Sequence, residues 1–394
     1  MTANRTLEVL RIFLKLGMTS FGGPIAHLGY FRREFVAHRQ WLSEPDYAEL
    51  VALAQSLPGP TSSQVGFAIG LLRAGYRGAL AAWFGFTLPS AVLLILFAYS
   101  AAVLNDTWGR GLLHGLQLLA VAVVAQAVLG MARTLSPDLR RAAIAVSAAV
   151  IVLFGHFQWV QLAAILWGAA LGWLICRASL SKTDEAPPAL PVTPRAGAIA
   201  WLIFVALLVG LQLVPNRESL QGLALFDAYY RSGSLVFGGG HVVLPLLHDA
   251  FVRPGWVSDD AFMAGYGAAQ AVPGPLFTFA GYLGTVARVS PHGLLGALIG
   301  LVGIFLPGML LLVGALPVWQ RLRQQQALRR SLLGINAAVV GVLAAALYSP
   351  IWTGSVRTIA DALLAGLCFV LLTSVRMPPL VVALLAAVGG VWIA

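Results

Sequence analysis

A phrase stated twice in the same order constrains this chain more than anything else in it. Phe21-Gly22-Gly23-Pro24 returns as Phe237-Gly238-Gly239-Gly240, Trp41-Leu42-Ser43-Glu44 as Trp256-Val257-Ser258-Asp259, and Gln55-Ser56-Leu57-Pro58-Gly59-Pro60 as Gln270-Ala271-Val272-Pro273-Gly274-Pro275. The spacing holds, since 256 − 41 and 270 − 55 both give 215. Arg73 and Arg288, Gly78 and Gly293, and, after a shift of three, Pro89 and Pro307 continue the match. Self-similarity at one offset is the mark of two halves built to one plan. In an apolar chain, such halves point to a transporter.

The solvent for most of this surface is lipid. Of 394 residues 59% are hydrophobic and only 10% charged, with a mean hydropathy of +0.84, which predicts an all-α polytopic membrane protein. Apolar runs expected to span lie at 80–104, 111–132, 142–155, 159–176, 198–213, 293–319, 331–348, 359–372 and 379–393. Ahead of these, each half carries paired apolar stretches of about 12 residues interrupted by Gly and Pro, the pattern of broken or re-entrant hairpins. Residues 1–20 carry Arg5, Glu8, Arg11 and Lys15 and lack the uninterrupted core of a signal peptide, so the N-terminus is expected to be retained. Cys176 and Cys368 lie inside apolar runs without disulfide or metal spacing and read as small buried side chains. The net charge of +10 sits in short loops, where membrane topology rather than nucleic acid is the usual cause.

Basic residues set the expected threading. Arg133, Arg140 and Arg141 mark one loop as cytoplasmic, Arg177, Lys182 and Arg195 another, and Arg32, Arg33, Arg39, Arg73 and Arg77 flank the hairpin that contains Pro58. In the second half the bias flips, with Arg321, Arg323, Arg329 and Arg330 in a loop whose counterpart holds only Asp106 and Arg110. The halves are therefore expected to be inverted, with about four full spans each, the 198–213 helix linking them, the N-terminus inside and the C-terminus outside. The boundaries expected are 1–177 for the first repeat, 178–220 for a Pro-rich linker plus the linking helix, and 221–394 for the second repeat. The linker proper is 179–195, with Pro187, Pro188, Pro191 and Pro194.

Each half offers two Gly/Pro turns, Gly22-Gly23-Pro24 with Pro58-Gly59-Pro60, and Gly238-Gly239-Gly240 with Pro273-Gly274-Pro275. Helices starting near Ile25, Thr61, His241 and Leu276 would aim unpaired N–H groups from these turns toward a shared midplane cavity, a geometry suited to an anion. Pro60 and Pro275 fit a first helical position, and hydroxyls at Thr61, Ser62, Ser63 and Thr278 are further donors. Close packing of helices is the alternative use of such turns. Gln55 and Gln270 occupy equivalent places and suit an anion ligand or a tie within the turn. Lys15 and Arg231, each six residues before the repeated Phe, are basic groups within apolar hairpins, to be read as anion ligands or as snorkelling side chains. His27 and His241 are candidate proton carriers or oxyanion donors. Glu34, Glu49 and Asp361 are the acids nearest embedded segments, and proton coupling would use one of these or His27, although Glu49 also has a role open in capping the helix after Ser43. No P-loop, Ser/His/Asp or metal-spaced set is present, so neither catalysis nor a cofactor is expected.

These residues resemble the chromate ion transporter family in its long two-domain form. The resemblance rests on the turn at Phe21 to Pro24, the Leu-Pro-Gly-Pro at Leu57 to Pro60, and their echoes at Phe237 to His241 and Gln270 to Pro275. It implies efflux of chromate across the bacterial inner membrane, hence chromate resistance, with sulfate as a look-alike dianion and proton or anion antiport as the coupling. Partners expected on that basis are chromate, sulfate, the lipid bilayer and a second copy of the chain. A sulfate or other oxyanion carrier is the near alternative and a membrane enzyme or assembly subunit the remote one. Gly240 departs from the proline at Pro24, so unequal contributions of the two halves are expected.

Overall fold

The computed structural model describes residues 2–101, 107–155, 157, 159–177, 192–214 and 220–393, and no strand occurs among them. The helices in chain order are α1 (Thr2–Thr19), α2 (Gly23–Phe31), α3 (Glu44–Ser56), α4 (Thr61–Ala101), α5 (Thr107–Leu135), α6 (Leu139–Phe154), α7 (Val160–Ile175), α8 (Pro194–Gly210), α9 (Gln221–Ser234), α10 (Val243–Phe251), α11 (Asp259–Ala271), α12 (Phe279–Val286), α13 (Gly293–Ala315), α14 (Trp319–Gln324), α15 (Gln326–Ala346), the single turn α16 (Thr353–Ser355), α17 (Ile359–Thr373) and α18 (Pro379–Ile393). Lys182, Pro187, Pro188 and Pro191 of the expected linker, and Asp106, lie outside the described residues. Pro194 opens α8 behind the N-cap Thr193, whose hydroxyl accepts from the Ala196 N–H at 3.2 Å.

The repeat is legible in the helix boundaries. Ser43 caps α3 by accepting from the Asp46 N–H, and Ser258 caps α11 by accepting from the Ala261 N–H. Both helices have 13 residues and both run into a Pro-Gly-Pro turn. At 1.5 Å per residue each is about 20 Å long, well short of the roughly 30 Å hydrocarbon core, as a re-entrant limb requires. The limb after the first turn behaves alike, because α4 is two helices. Ala74 and Gly75 leave helical backbone, and a side chain on Gly70 would strike the carbonyl of Gly78, contacts possible only where the chain doubles back. The chain therefore doubles back after the first limb, 61–73, before the second helix runs on to Ala101.

All nine segments expected to span are helical where described. Five helical stretches are long and apolar enough to cross, namely Thr61–Ala101, Thr107–Leu135, Pro194–Leu213, Gly293–Val318 and Gln326–Ser355. The others, α6, α7, α17 and α18, have 15 or 16 residues. At about 24 Å they need neighbours or a thinned bilayer to satisfy their ends. Large apolar side chains such as Leu202, Trp173 and Leu384 are exposed along these helices, as lipid-facing surface demands. This is an all-α, multi-pass membrane protein.

The chain folds as two compact units that each draw on both halves of the sequence: Met1–Leu96, Lys182–Gly240 and Val272–Arg321 in one, Phe97–Ser181, His241–Ala271 and Leu322–Ala394 in the other. In the first unit, α1 packs on α4 where a side chain at Gly17 would meet the Phe86 carbonyl, and α9 packs on α13 where one at Gly233 would meet the Ile304 carbonyl, the same joint made twice. In the second, α15 lies against α6 and α7, and α18 against α5. Gly168, Gly172 and Gly334 let the α7 and α15 backbones touch, the small-residue packing that membranes favour because lipid supplies no hydrophobic drive between helices.

Candidate functional site

In the first unit the Gly/Pro turns are tied to one another across the repeat. Gly59 at φ +124° donates its N–H to Val236 O at 2.7 Å, and Gly274 at φ +100° donates to Ser20 O at 2.9 Å. Val236 and Ser20 immediately precede the repeated Phe-Gly-Gly, so each half's Pro-Gly-Pro turn grips the other half's first turn. Gly22, Gly23, Gly238 and Gly239 all sit at positive φ, which is why glycine stands there. A Cβ at Gly59 would lie 2.9 Å from Gly308 Cα on α13.

Buried polar side chains surround these ties. The His27 ring is 1% exposed, with Nε2 3.2 Å from Ser20 O and Nδ1 3.3 Å from Ser62 Oγ. A carbonyl only accepts, so Nε2 carries the hydrogen and Nδ1 accepts from the Ser62 hydroxyl. Both ring nitrogens are thereby engaged within the protein. Gln64 Nε2 donates to Pro58 O at 3.0 Å and to Gly308 O at 2.9 Å. Ser20 Oγ, Ser63 Oγ, Gln64 Oε1 and Thr87 Oγ1 are buried with no hydrogen-bond partner, although buried polar atoms ordinarily have one.

Gly240 explains its own departure from the repeat. A Cβ there would sit 3.3 Å from Pro24 Cγ and within 4 Å of Leu276, so Pro24 occupies the space that a second proline ring would need. Pro24 itself stands in the first turn of α2 behind the N-cap Gly22.

The remaining expected residues are placed as follows. Pro60 and Pro275 stand one residue outside their helices, not at the first helical position; Pro60 O accepts from the Gln64 N–H, and Pro275 has the extended backbone of an N-cap. Both positions suit a residue with no N–H to give. The Thr278 hydroxyl donates to Pro275 O at 2.7 Å, so it locks the turn instead of standing free as a donor. Thr61 is half-buried, while Gln55 and Lys15 are exposed. Arg231 pairs at 2.9 Å with Asp227, which is 1% exposed and also accepts from Gln212 Nε2. That pairing neutralises the Arg231 charge four residues away. Glu34 pairs with Arg39 at 2.7 Å in a cluster with Glu8 and Arg73, beside Trp41, over whose ring Arg73 lies. Glu49 accepts from Trp319 Nε1 at 2.6 Å, and the α3 cap is made by Ser43.

In the second unit, His241 Nδ1 lies 2.8 Å from the Tyr266 hydroxyl, and the Gln270 amide approaches the same hydroxyl. Gln270 Nε2 is buried without a hydrogen-bond partner. Tyr266 and Gln64 were missed in the sequence because neither belongs to the repeated phrase. Their signal is the opposite of repetition: 266 − 215 is Val51, and Gln64 corresponds to Phe279, so each is polar where its counterpart is apolar. Among the described residues no group of three or more His, Cys, Asp or Glu is arranged to hold a metal.

The sequence profile of the chromate transporter family matches this chain twice, over residues 7–173 and 223–391. A chromate transport protein of Pseudomonas aeruginosa is 30% identical over 84% of this chain and 78% of its own length. One from Cupriavidus metallidurans is 26% identical over 97% and 92%, and a probable chromate transport protein of Synechococcus elongatus is 27% identical over 86% and 83%. No solved structure matches the chain. A double match that leaves out little besides the joining segment places this chain in the chromate transporter family.

Proposed function

We propose that this protein exports chromate across the bacterial inner membrane by proton or anion antiport, binding the dianion among the Gly/Pro turns. The observation that carries this is the crossed pair of turn hydrogen bonds, Gly59 to Val236 and Gly274 to Ser20, with buried hydroxyls at Ser20, Ser63 and Thr87 left without partners beside them. Hydroxyl and amide donors of that kind bind a tetrahedral dianion without a fixed countercharge. The names of the relatives in Pseudomonas aeruginosa and Cupriavidus metallidurans supply chromate as the cargo. Repeats at 1–177 and 221–394, inverted about the 178–220 linker and helix, would present the turns from opposite faces, and the flipped arginine bias supports that threading.

Radiolabelled chromate uptake into inside-out vesicles tests this, with sulfate as competitor and the proton gradient imposed or collapsed. Protein-dependent accumulation is expected. Accumulation of sulfate in place of chromate would favour a sulfate carrier, and accumulation of neither would sink the proposal. Reporter fusions after Arg141 and after Arg330 should both report a cytoplasmic location.

A further inference from the structure

The second unit contains a histidine whose two ring nitrogens both face side-chain oxygens. On α5, His114 Nε2 lies 2.8 Å from Asp361 Oδ1 and Nδ1 lies 3.3 Å from Gln117 Oε1. The orientation of the Gln117 amide is set by its other end, where Nε2 donates to Asp260 O at 3.1 Å and to Asp260 Oδ1 at 3.3 Å. Turning the amide would set its oxygen against two acceptors, so the oxygen must face the histidine. Both ring nitrogens of His114 then face oxygens, and the contacts are all met when Nδ1 carries a hydrogen for Gln117 and one further proton lies between Nε2 and Asp361 Oδ1.

We infer that His114 and Asp361 together form a proton-binding site of this transporter, and that the bound proton clamps α5 to α11 and α17. Asp361 is anchored by its other oxygen, which accepts from the Arg357 and Thr358 N–H groups at 2.9 Å each. Its side chain is 4% exposed against 21% for His114, while Asp260 and Arg357 lie at the surface, so a proton reaches the ring from the Asp260 side. Other charges facing the cluster are few. Arg357 pairs with Asp260 at 3.4 Å, Asp259 is held by His248 of α10, and Arg110 lies one turn back on α5. No titratable side chain occurs on α18 or α16, Tyr348 is the one group of that kind in the turn after α15, and the charges of α15, Arg329 and Arg330, lie near its start.

Loss of the proton leaves one hydrogen for both contacts; held on Nε2 by the Asp361 carboxylate, it sets the lone pairs of Nδ1 and Gln117 Oε1 against each other, and relief by turning the amide breaks both bonds to Asp260. Asp260 is in the first turn of α11 and Gln270 in the last. A rigid helix therefore carries the state of His114 to the residue expected to meet the anion. Only this last link rests on the proposed transport; the protonation of the ring does not depend on the cargo.

The full-length protein, labelled with ¹⁵N-histidine and placed in nanodiscs, shows which ring nitrogens are protonated by their chemical shifts. His114 is identified by the signal lost in His114→Gln, or, should that variant fail to fold, by the one displaced in Gln117→Glu. A hydrogen on Nδ1 at about pH 7 is expected, as its contact with Gln117 Oε1 requires. An Nδ1 without a hydrogen at that pH overturns the inference. In liposomes, Gln117→Leu, which removes one charge-assisted hydrogen bond, should hold the proton about ten-fold less tightly and move the pH profile of transport by about one pH unit in the acid direction. An unmoved profile would overturn the link to transport. Absence of chromate transport by the wild-type protein would instead overturn the proposed cargo and leave the ¹⁵N result standing.

Discussion

The hairpin of α2 and α3 in the first repeat and that of α10 and α11 in the second share a backbone plan and differ in what they bury. α3 and α11 match in length, in serine cap and in the glutamine before the Pro-Gly-Pro turn. Yet Ile25 is 86% exposed and Gln55 is exposed, whereas their counterparts His241 and Gln270 meet at a buried tyrosine. Val51 in the first repeat stands where Tyr266 stands in the second. Duplication preserved the turns, whose backbone geometry tolerates little change. Side chains lining the hairpins differ: His27 of the first reaches Ser62 on α4, whereas His241 of the second meets Tyr266 on α11.

Four sets of substitutions break or sharpen this comparison, the largest effect first. Gly59→Ala forces a side chain into positive φ and against the Gly308 backbone, and should cost about 3 kcal/mol or more in thermal unfolding in detergent. Gly274→Ala meets mainly the Ser90 hydroxyl, which can rotate away, and should cost about 1–2 kcal/mol; equal losses would mean the two turns are equally confined. Gly240→Pro crowds Pro24 and should destabilise by about 1–3 kcal/mol, with much of that recovered in the double variant Pro24→Gly/Gly240→Pro. Additive losses in that cycle would show that the two positions do not share space.

Tyr266→Phe leaves His241 Nδ1 without its partner, an expected loss of about 1–2 kcal/mol accompanied by weaker transport, while Val51→Ala in the first hairpin should leave transport near wild type. Transport lost equally in both would erase the distinction between the hairpins. Smallest and most nearly equal should be Ser43→Ala and Ser258→Ala, each about 1 kcal/mol from a lost cap.

Much of the fold was legible before any coordinates. The apolar runs marked the helices, and Ser43, Ser258 and the proline turns marked their ends within a residue. The reversal at Ala74 and Gly75 was foreshadowed by Arg39 and Arg73: if both face the cytoplasm, the apolar stretches between them must enter and leave on the same face. The roles of single polar residues were harder to read. Arg231 read as an anion ligand or a snorkelling side chain, and the structure pairs it with a buried Asp227; Glu49 read as a proton-coupling or capping acid, and the structure adds a bond from Trp319.

Sequence alone determined the membrane as solvent, the duplicated plan and the places where helices must break, because hydropathy, glycine at positive φ and proline without an N–H act within a few residues. Tertiary structure alone decided the partners. Gln64 meets Gly308 across 244 positions and His114 meets Asp361 across 247, pairings that no local propensity encodes. Such contacts exist only after helices from both halves have packed, and at buried sites it is the partner that decides whether a polar group binds an anion, holds a proton or closes a turn.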